Sequence, residues 1–290
     1  MTAGDLITAD GQLEWRGALL GSATPFRLTK LEGWLDLTEM RGDDYDRPSR
    51  HGMYPGASLM GKRVVTFSFL VKGVPLAQFQ SMVDWMRALT APVEQPVEQP
   101  LVIRLGGQSW MTMARCKGRT LNVDKYYALG YTTGAIRWEA TDPRLYSPAE
   151  HVLTTPLASP ATTGLKFPVQ APFDFGTGPT GGFLTATNTG SVASWPTLQI
   201  DGPVTGPVIT NHATGERLAF DPTVPITAGQ SLVLDTDQRA VTLNGGNASN
   251  LLLTRGWFPL LPGTATRLDF TASSYDPAAL LTCRWRDAAA

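Results

Sequence analysis

The chain has 290 residues, with 24 Lys and Arg against 25 Asp and Glu, so its net charge at pH 7 is -1. Nothing in that balance argues for wrapping a polyanion or lying on an acidic membrane. Charged residues make up only 17%, below the roughly 25% of average soluble chains, which favours a protein that buries surface against neighbours.

The 29 Gly and 22 Pro indicate many turns between short strands rather than a helical bundle. The length allows two domains. Cys116 and Cys283 lie far apart and read as buried reduced thiols rather than a disulfide. No basic-then-apolar start reads as a secretory signal, and no apolar run approaches the ~20 residues that span a bilayer. The expectation is a protein made in the cytoplasm and not exported by the general route.

In chain order, Gln12–Trp15, Phe26–Leu28 and Trp34–Leu37 are strand-like pieces separated by glycines. A polar stretch follows from Arg41 to Ser49. Its Asp43, Asp44 and Asp46 lack the central Gly and closing Glu of a calcium loop, so the stretch reads as a solvated loop. In "PGASLMGKRVVTFSF" (55–69), Gly56, Gly61 and Lys62 have the spacing of a phosphate-cradling loop. Arg63 stands where the magnesium-holding Ser or Thr belongs, and the β-branched and aromatic run Val64–Val71 follows where a helix should open. The run reads as a strand.

The helix expected from Pro75 to about Leu89 carries Leu76, Phe79, Val83 and Met86 on one face. "PVEQPVEQP" (92–100) then reads as an extended linker or exposed loop. Strands resume at Leu101–Leu105 and Ala135–Ala140, and "TDPRLYSP" (141–148) closes the region. From there to about Phe183 Pro, Gly, Thr and Ala dominate. Gly176, Gly178 and Gly181 there match G-x-G-x-x-G, but an interior proline and the lack of a following helix argue against a dinucleotide loop. Beyond 184 the pattern is purely β. Leu198 with Ile200, Leu232 with Leu234, Val241 with Leu243, Leu268 with Phe270, and Leu281 with Cys283 and Trp285 alternate with polar neighbours. Turn signals every ten residues or so complete the pattern of an antiparallel sandwich or jelly roll.

Chemistry is sparse. His51, His151 and His212 form no metal-ligand spacing, and no G-x-S-x-G elbow is present. "LDTDQ" (234–238) resembles an aspartic-protease motif only until Asp237 takes the glycine place, so Asp235 and Asp237 read as turn residues. A carboxylate pair assembled by the fold for glycoside cleavage stays open. Trp195, Trp257, Phe258 and Trp285 are candidates to stack on sugars, with Trp285 in phase with the core. The residues assign no catalytic, cofactor-binding or metal site.

The ordered stretches "NTGSVASWPTLQIDGPVTGPVITNHATGERLAF", "ITAGQSLVLDTDQRAVTLNGG", "RGWFPLLPGTATRLDF" and "CRWRDAAA" resemble the C-terminal domain of siphophage distal tail proteins. "FRLTKLEGWLD", "RHGMYPG" with Lys62-Arg63, the helix, "TDPRLYS" and "GLKFPVQAPFDFG" are similar to the rest of that family. "VEQPVEQP" has no match in it. The resemblance implies a mainly β fold with one helix: a belt-type β-barrel or split barrel at 1–150, a connecting arm at 151–183, and a galectin-like antiparallel β-sandwich at 184–290. It implies a structural, non-enzymatic virion protein at the distal end of a long non-contractile tail. Six copies would form a ring joining the tail tube protein to the tail-associated hub protein and leaving a channel for DNA. The tape measure and receptor-binding proteins are further partners it allows, with no cofactor, membrane or sequence-specific nucleic acid. Gly56 and Gly61 would then serve backbone turns, while ring and tube contact residues are not identified. A carbohydrate-binding role in host adhesion and an enzyme acting on cell-wall polymer are the alternatives from other classes.

Overall fold

The structure is a computed structural model that describes residues 2–72, 74–160 and 180–290. It is mainly β, as the sequence indicates, with Leu76–Leu89 the one α-helix among the described residues. The chain divides into two compact units, one running to Pro148 and the other spanning Ala149–Ala289.

The first unit is built on an antiparallel sheet. Its strands run in the order Ala18–Gly21, Gln12–Trp15, Gln99–Leu105, Gln108–Asn122, Tyr131–Ala140, Arg63–Lys72, Phe26–Glu32. Arg63–Lys72 shows why the pattern folds this way. Val65, Phe67, Phe69 and Val71 are buried, while Val64, Thr66, Ser68 and Leu70 between them are half-buried. Ile136 lies opposite Phe67 and Trp138 opposite Val65, so both add to the same inner face. Each such side chain contributes roughly 1.5–3 kcal/mol on burial. Trp15 meets Trp138 edge-on at 5.8 Å.

The helix lays Phe79 and Met86 into this core and stacks Trp85 on Phe26 at 5.2 Å. Pro75 is its N-cap rather than a residue of its first turn. At the other end, Thr90 donates its N–H and Oγ1 to the Met86 carbonyl. Arg119 Nη1 donates to the same carbonyl at 3.3 Å and to Thr90 Oγ1 at 2.6 Å. The helix end thereby keeps its carbonyls satisfied beside a cation.

Within the duplicated "VEQP" stretch the last two residues are strand, a correction to the loop reading. Gln99 pairs with Ala114 and Pro100 with Met113. Pro100 fits because the neighbour on its other side, Gln12–Trp15, ends at the Trp15–Leu101 pair, so no ladder bond needs its missing N–H.

In the second unit one sheet runs His151–Pro156, Leu280–Trp285, Thr197–Asp201, Ser231–Asp235, Ala240–Leu243, Gly246–Asn247. The other runs Phe183–Thr187, Ala265–Thr271, Val208–Asn211, Arg217–Phe220, Leu252–Arg255. Leu198, Ile200, Leu232, Leu234, Leu281 and Cys283 from the first share one core cluster with Leu184, Ile209, Leu218, Leu268 and Phe270 from the second. This is the packing of a sandwich. Inside the span read as a connecting arm, His151–Pro156 is an edge strand paired along Leu280–Trp285. It is mostly exposed, so it shows no alternation for a pattern reading to find. Residues 161–179 lie outside the described residues.

Candidate functional site

The feature of the first unit that packing does not explain is a hairpin. The Gly61 N–H donates to the Glu39 carbonyl at 2.7 Å. Met40 and Arg41 pair with Met60 and Leu59, and Tyr45 and Asp46 with Tyr54 and Met53. Arg47 N–H to Gly52 O, 3.2 Å, closes the ladder. Residues 39–59 are all exposed except the half-buried Gly56. The stretch Arg41–Ser49, read as a solvated loop, is thus solvated but is one side of this hairpin.

The glycines of the false phosphate loop belong here. A Cβ on Gly56 would lie 1.9 Å from the Asp43 carbonyl oxygen, and one on Gly61 2.8 Å from that of Glu39. They let the two sides of the hairpin approach, with Asp44 Oδ1 accepting the Gly56 N–H. Arg63, the residue that spoils the phosphate motif, anchors the hairpin's base. Its side chain is wholly buried. Nε donates to Pro143 O at 2.7 Å, and Nη1 to the carbonyls of Gly33, Trp34 and Asp36 at 2.9, 3.0 and 3.2 Å. Burial pulls its pKa down, and the charges of Asp36 and Asp142 oppose that.

Lys62, the would-be phosphate ligand, donates to Glu139 Oε2 at 2.7 Å, and Arg115 Nη2 donates to Oε1 at 3.0 Å. The Lys62 and Arg115 hydrogen bonds, in that order, hold the Glu139 carboxyl at about 2. A carboxylate bridged by two cations is a brace between strands, with no room to act as an acid or base.

The other candidates stay apart. His51 sits near the hairpin tip. His151 stacks on Trp285 at 5.1 Å and lies 3.3 Å from Asp287, and His212 Nδ1 is 2.8 Å from Asp269. Among the described residues no three of His, Cys, Asp or Glu gather to hold a metal ion, Asp43, Asp44 and Asp46 included. Asp235 Oδ1 accepts the N–H groups of Asp237 and Gln238, the turn role read from the sequence. Of the four aromatics offered as sugar platforms, Phe258 and Trp285 are core residues, a correction for Phe258, and Trp195 and Trp257 are half-buried. Gly176 and Gly178 lie outside the described residues. Cys116 and Cys283 are both free thiols, and burial pushes Cys283 up to about 12. No helix among the described residues is long and apolar enough to cross a membrane.

Residues 189–285 match the family model of the siphovirus-type tail component, C-terminal domain. The second unit is similar to that tail-component family over these residues. The resemblance read from the sequence holds on the C-terminal stretches that fall within 189–285. The Dit protein of phage SPP1, described as a paradigm of the hub adsorption apparatus in phages that infect Gram-positive bacteria, is 13% identical. It covers 96% of this chain and 98% of its own at a TM-score of 0.65, so the two chains share a fold over that span. A chain of the phage P2 baseplate in its activated, calcium-bound conformation is 10% identical over 94% of this chain and 97% of its own. Its TM-score of 0.48 is too low to add to the argument. No curated protein matches the chain.

Proposed function

We propose that this chain is a structural distal tail protein of a long non-contractile phage tail. Six copies form a ring at the distal end, joining the tail tube to the tail-tip hub or baseplate and leaving a channel for DNA. What supports the reading best is the tail-component match over 189–285, combined with a fold shared with the hub protein of phage SPP1 over 96% of the chain. In this reading residues 1–150 build the ring and 184–290 form a galectin-like sandwich that projects from it. The partners are further copies, the tail tube protein and the tail-associated hub protein. The virion is its place of work.

The surface chemistry agrees with such a part. The cations and carboxylates described above brace strands or turns, and the exposed apolar side chains of the hairpin offer contact area instead. A ring of unlike contacts needs two different surfaces on each copy. Mass measured by light scattering and native mass spectrometry, followed by negative-stain images, tests the reading. The expected particle has six times the 31.3 kDa of one chain and a central hole. A protein that stays at one chain mass at every concentration, or that turns over a cell-wall polymer, overturns it.

A further inference from the structure

An isolated two-stranded hairpin is marginal in water, yet this one stands in solvent bearing Met40, Tyr45, Met53, Tyr54 and Leu59, all 41–66% exposed. The first unit carries a second apolar surface. Leu70, Asp124, Tyr126, Leu129, Tyr131 and Thr133 line a groove of about 290 Å³. Leu129 is 69% exposed and Tyr126 50%. The groove is at the low end of the ~300–1,000 Å³ typical of ligand sites and has no set of converging polar groups, so it suits side chains rather than a small molecule.

The two surfaces sit at opposite ends of one strand. The hairpin returns to the sheet at Arg63, which pairs with Ala140, whereas Leu70 pairs with Thr133 and Lys72 with Tyr131. Arg63 and Leu70 are seven residues apart, or ~23 Å at the ~3.3 Å rise of a strand. Exposure of both surfaces shows that the hairpin does not fold back onto its own groove.

Their charges differ in sign. Lys72 Nζ lies over the Tyr131 ring at 6.0 Å and Lys125 Nζ over Tyr126 at 5.0 Å, while Arg27 lies beside Leu70 across the sheet. The one carboxylate there, Asp124, already accepts the Tyr126 N–H. The middle of the hairpin, Gly42–Asp46, carries Asp43, Asp44 and Asp46 and no base. Of its flanking cations, Arg47 is held over Tyr54 at 4.9 Å.

We propose that the hairpin of one copy lies in the Leu70–Tyr131 groove of a second copy, its Asp43–Asp46 stretch against the Arg27, Lys72 and Lys125 rim. The occupant is another copy because a surface at one end and its complement at the other make a head-to-tail contact, the kind that closes rings. The contact rests on the ring reading above and names the residues that would make it.

The test uses the full chain with Tyr45 replaced by photoreactive p-benzoylphenylalanine, mixed with isotope-labelled protein. Cross-links from residue 45 of one copy to peptides within 123–133 of the other are expected. Leu129→Asp is expected to weaken association at least ~tenfold, while Leu253→Asp, at a similarly exposed position on the second unit, leaves the mass unchanged. Asp43→Lys with Asp46→Lys weakens it too, and adding Lys72→Glu with Lys125→Glu restores it. Circular dichroism checks that each variant is folded. A ring that keeps its mass in Leu129→Asp, or cross-links outside 123–133, overturns this contact and leaves the ring reading standing. A wild-type protein at one chain mass throughout overturns both.

Discussion

The sandwich of the second unit and the hairpin of the first are made from the same material, short strands and glycine turns, and use it to opposite ends. In the sandwich the inner apolar stripes of the two sheets find their complement in each other. Thr197–Asp201 and Ser231–Asp235 each bury two residues and leave three half-buried, and the buried ones meet Leu268 and Phe270 from the facing sheet. In the hairpin the backbone pairs at its base and near its tip, but its apolar side chains stay exposed. What separates the two is the second layer, since a sheet face becomes core only where another layer covers it. The sandwich brings its own cover, and the hairpin waits for one.

That contrast predicts where damage is felt. The largest loss of stability is expected from Phe270→Ala, which empties a site with no exposure and should cost about 3–5 kcal/mol in urea unfolding. Arg63→Met should cost about 3 kcal/mol, because the carbonyls of Gly33, Trp34, Asp36 and Pro143 lose their donor. If Arg63→Met were neutral, the hairpin would not depend on a rigid base and the distinction drawn between anchor and free end would fail.

How much of this was legible follows the same division. Alternation finds residues whose partners lie in the same chain. Leu198 with Ile200, Leu268 with Phe270, and the helix face with Phe79 and Met86 could be read from period alone. The edge strand His151–Pro156 and the hairpin ladder could not, because exposure on both faces erases the alternation a pattern reading needs. Arg63 breaks the phosphate-loop pattern in the sequence, but its role depends on the fold, which brings Pro143 across eighty positions to meet it. The groove is assembled from Leu70 and residues 124–133, and no local motif announces it.

A smaller effect separates a brace from a site. Glu139 is held at about 2, below its ordinary 4.5. A depressed carboxyl contributes stability that is complete above about 4.5 and is lost as the pH falls from there toward 2. Because Lys62 is more than half exposed, solvent screening reduces the contribution, and Glu139→Gln should cost about 1–2 kcal/mol at pH 7. The wild type and the variant should converge in urea midpoint near pH 2. A constant gap across that range would show that Glu139 acts through packing and not through its charge.

The smallest effect on stability is expected where the effect on assembly is clear. Gly56→Ala puts a methyl group 1.9 Å from the Asp43 carbonyl oxygen, so the two sides of the hairpin must part there and the Asp44–Gly56 hydrogen bond is lost. No core residue moves, since the neighbours on both sides are exposed, and the urea midpoint should shift by no more than ~0.5 kcal/mol equivalent. Hydrogen exchange at Gly56 and Arg47 should quicken, while exchange at Phe67 and Ile136 should not. If the hairpin is the head of a head-to-tail contact, the same substitution should also lower the fraction of assembled protein. A variant with a loosened hairpin, unchanged core protection and undiminished assembly would show that this surface, unlike the sandwich faces, has no cover to wait for.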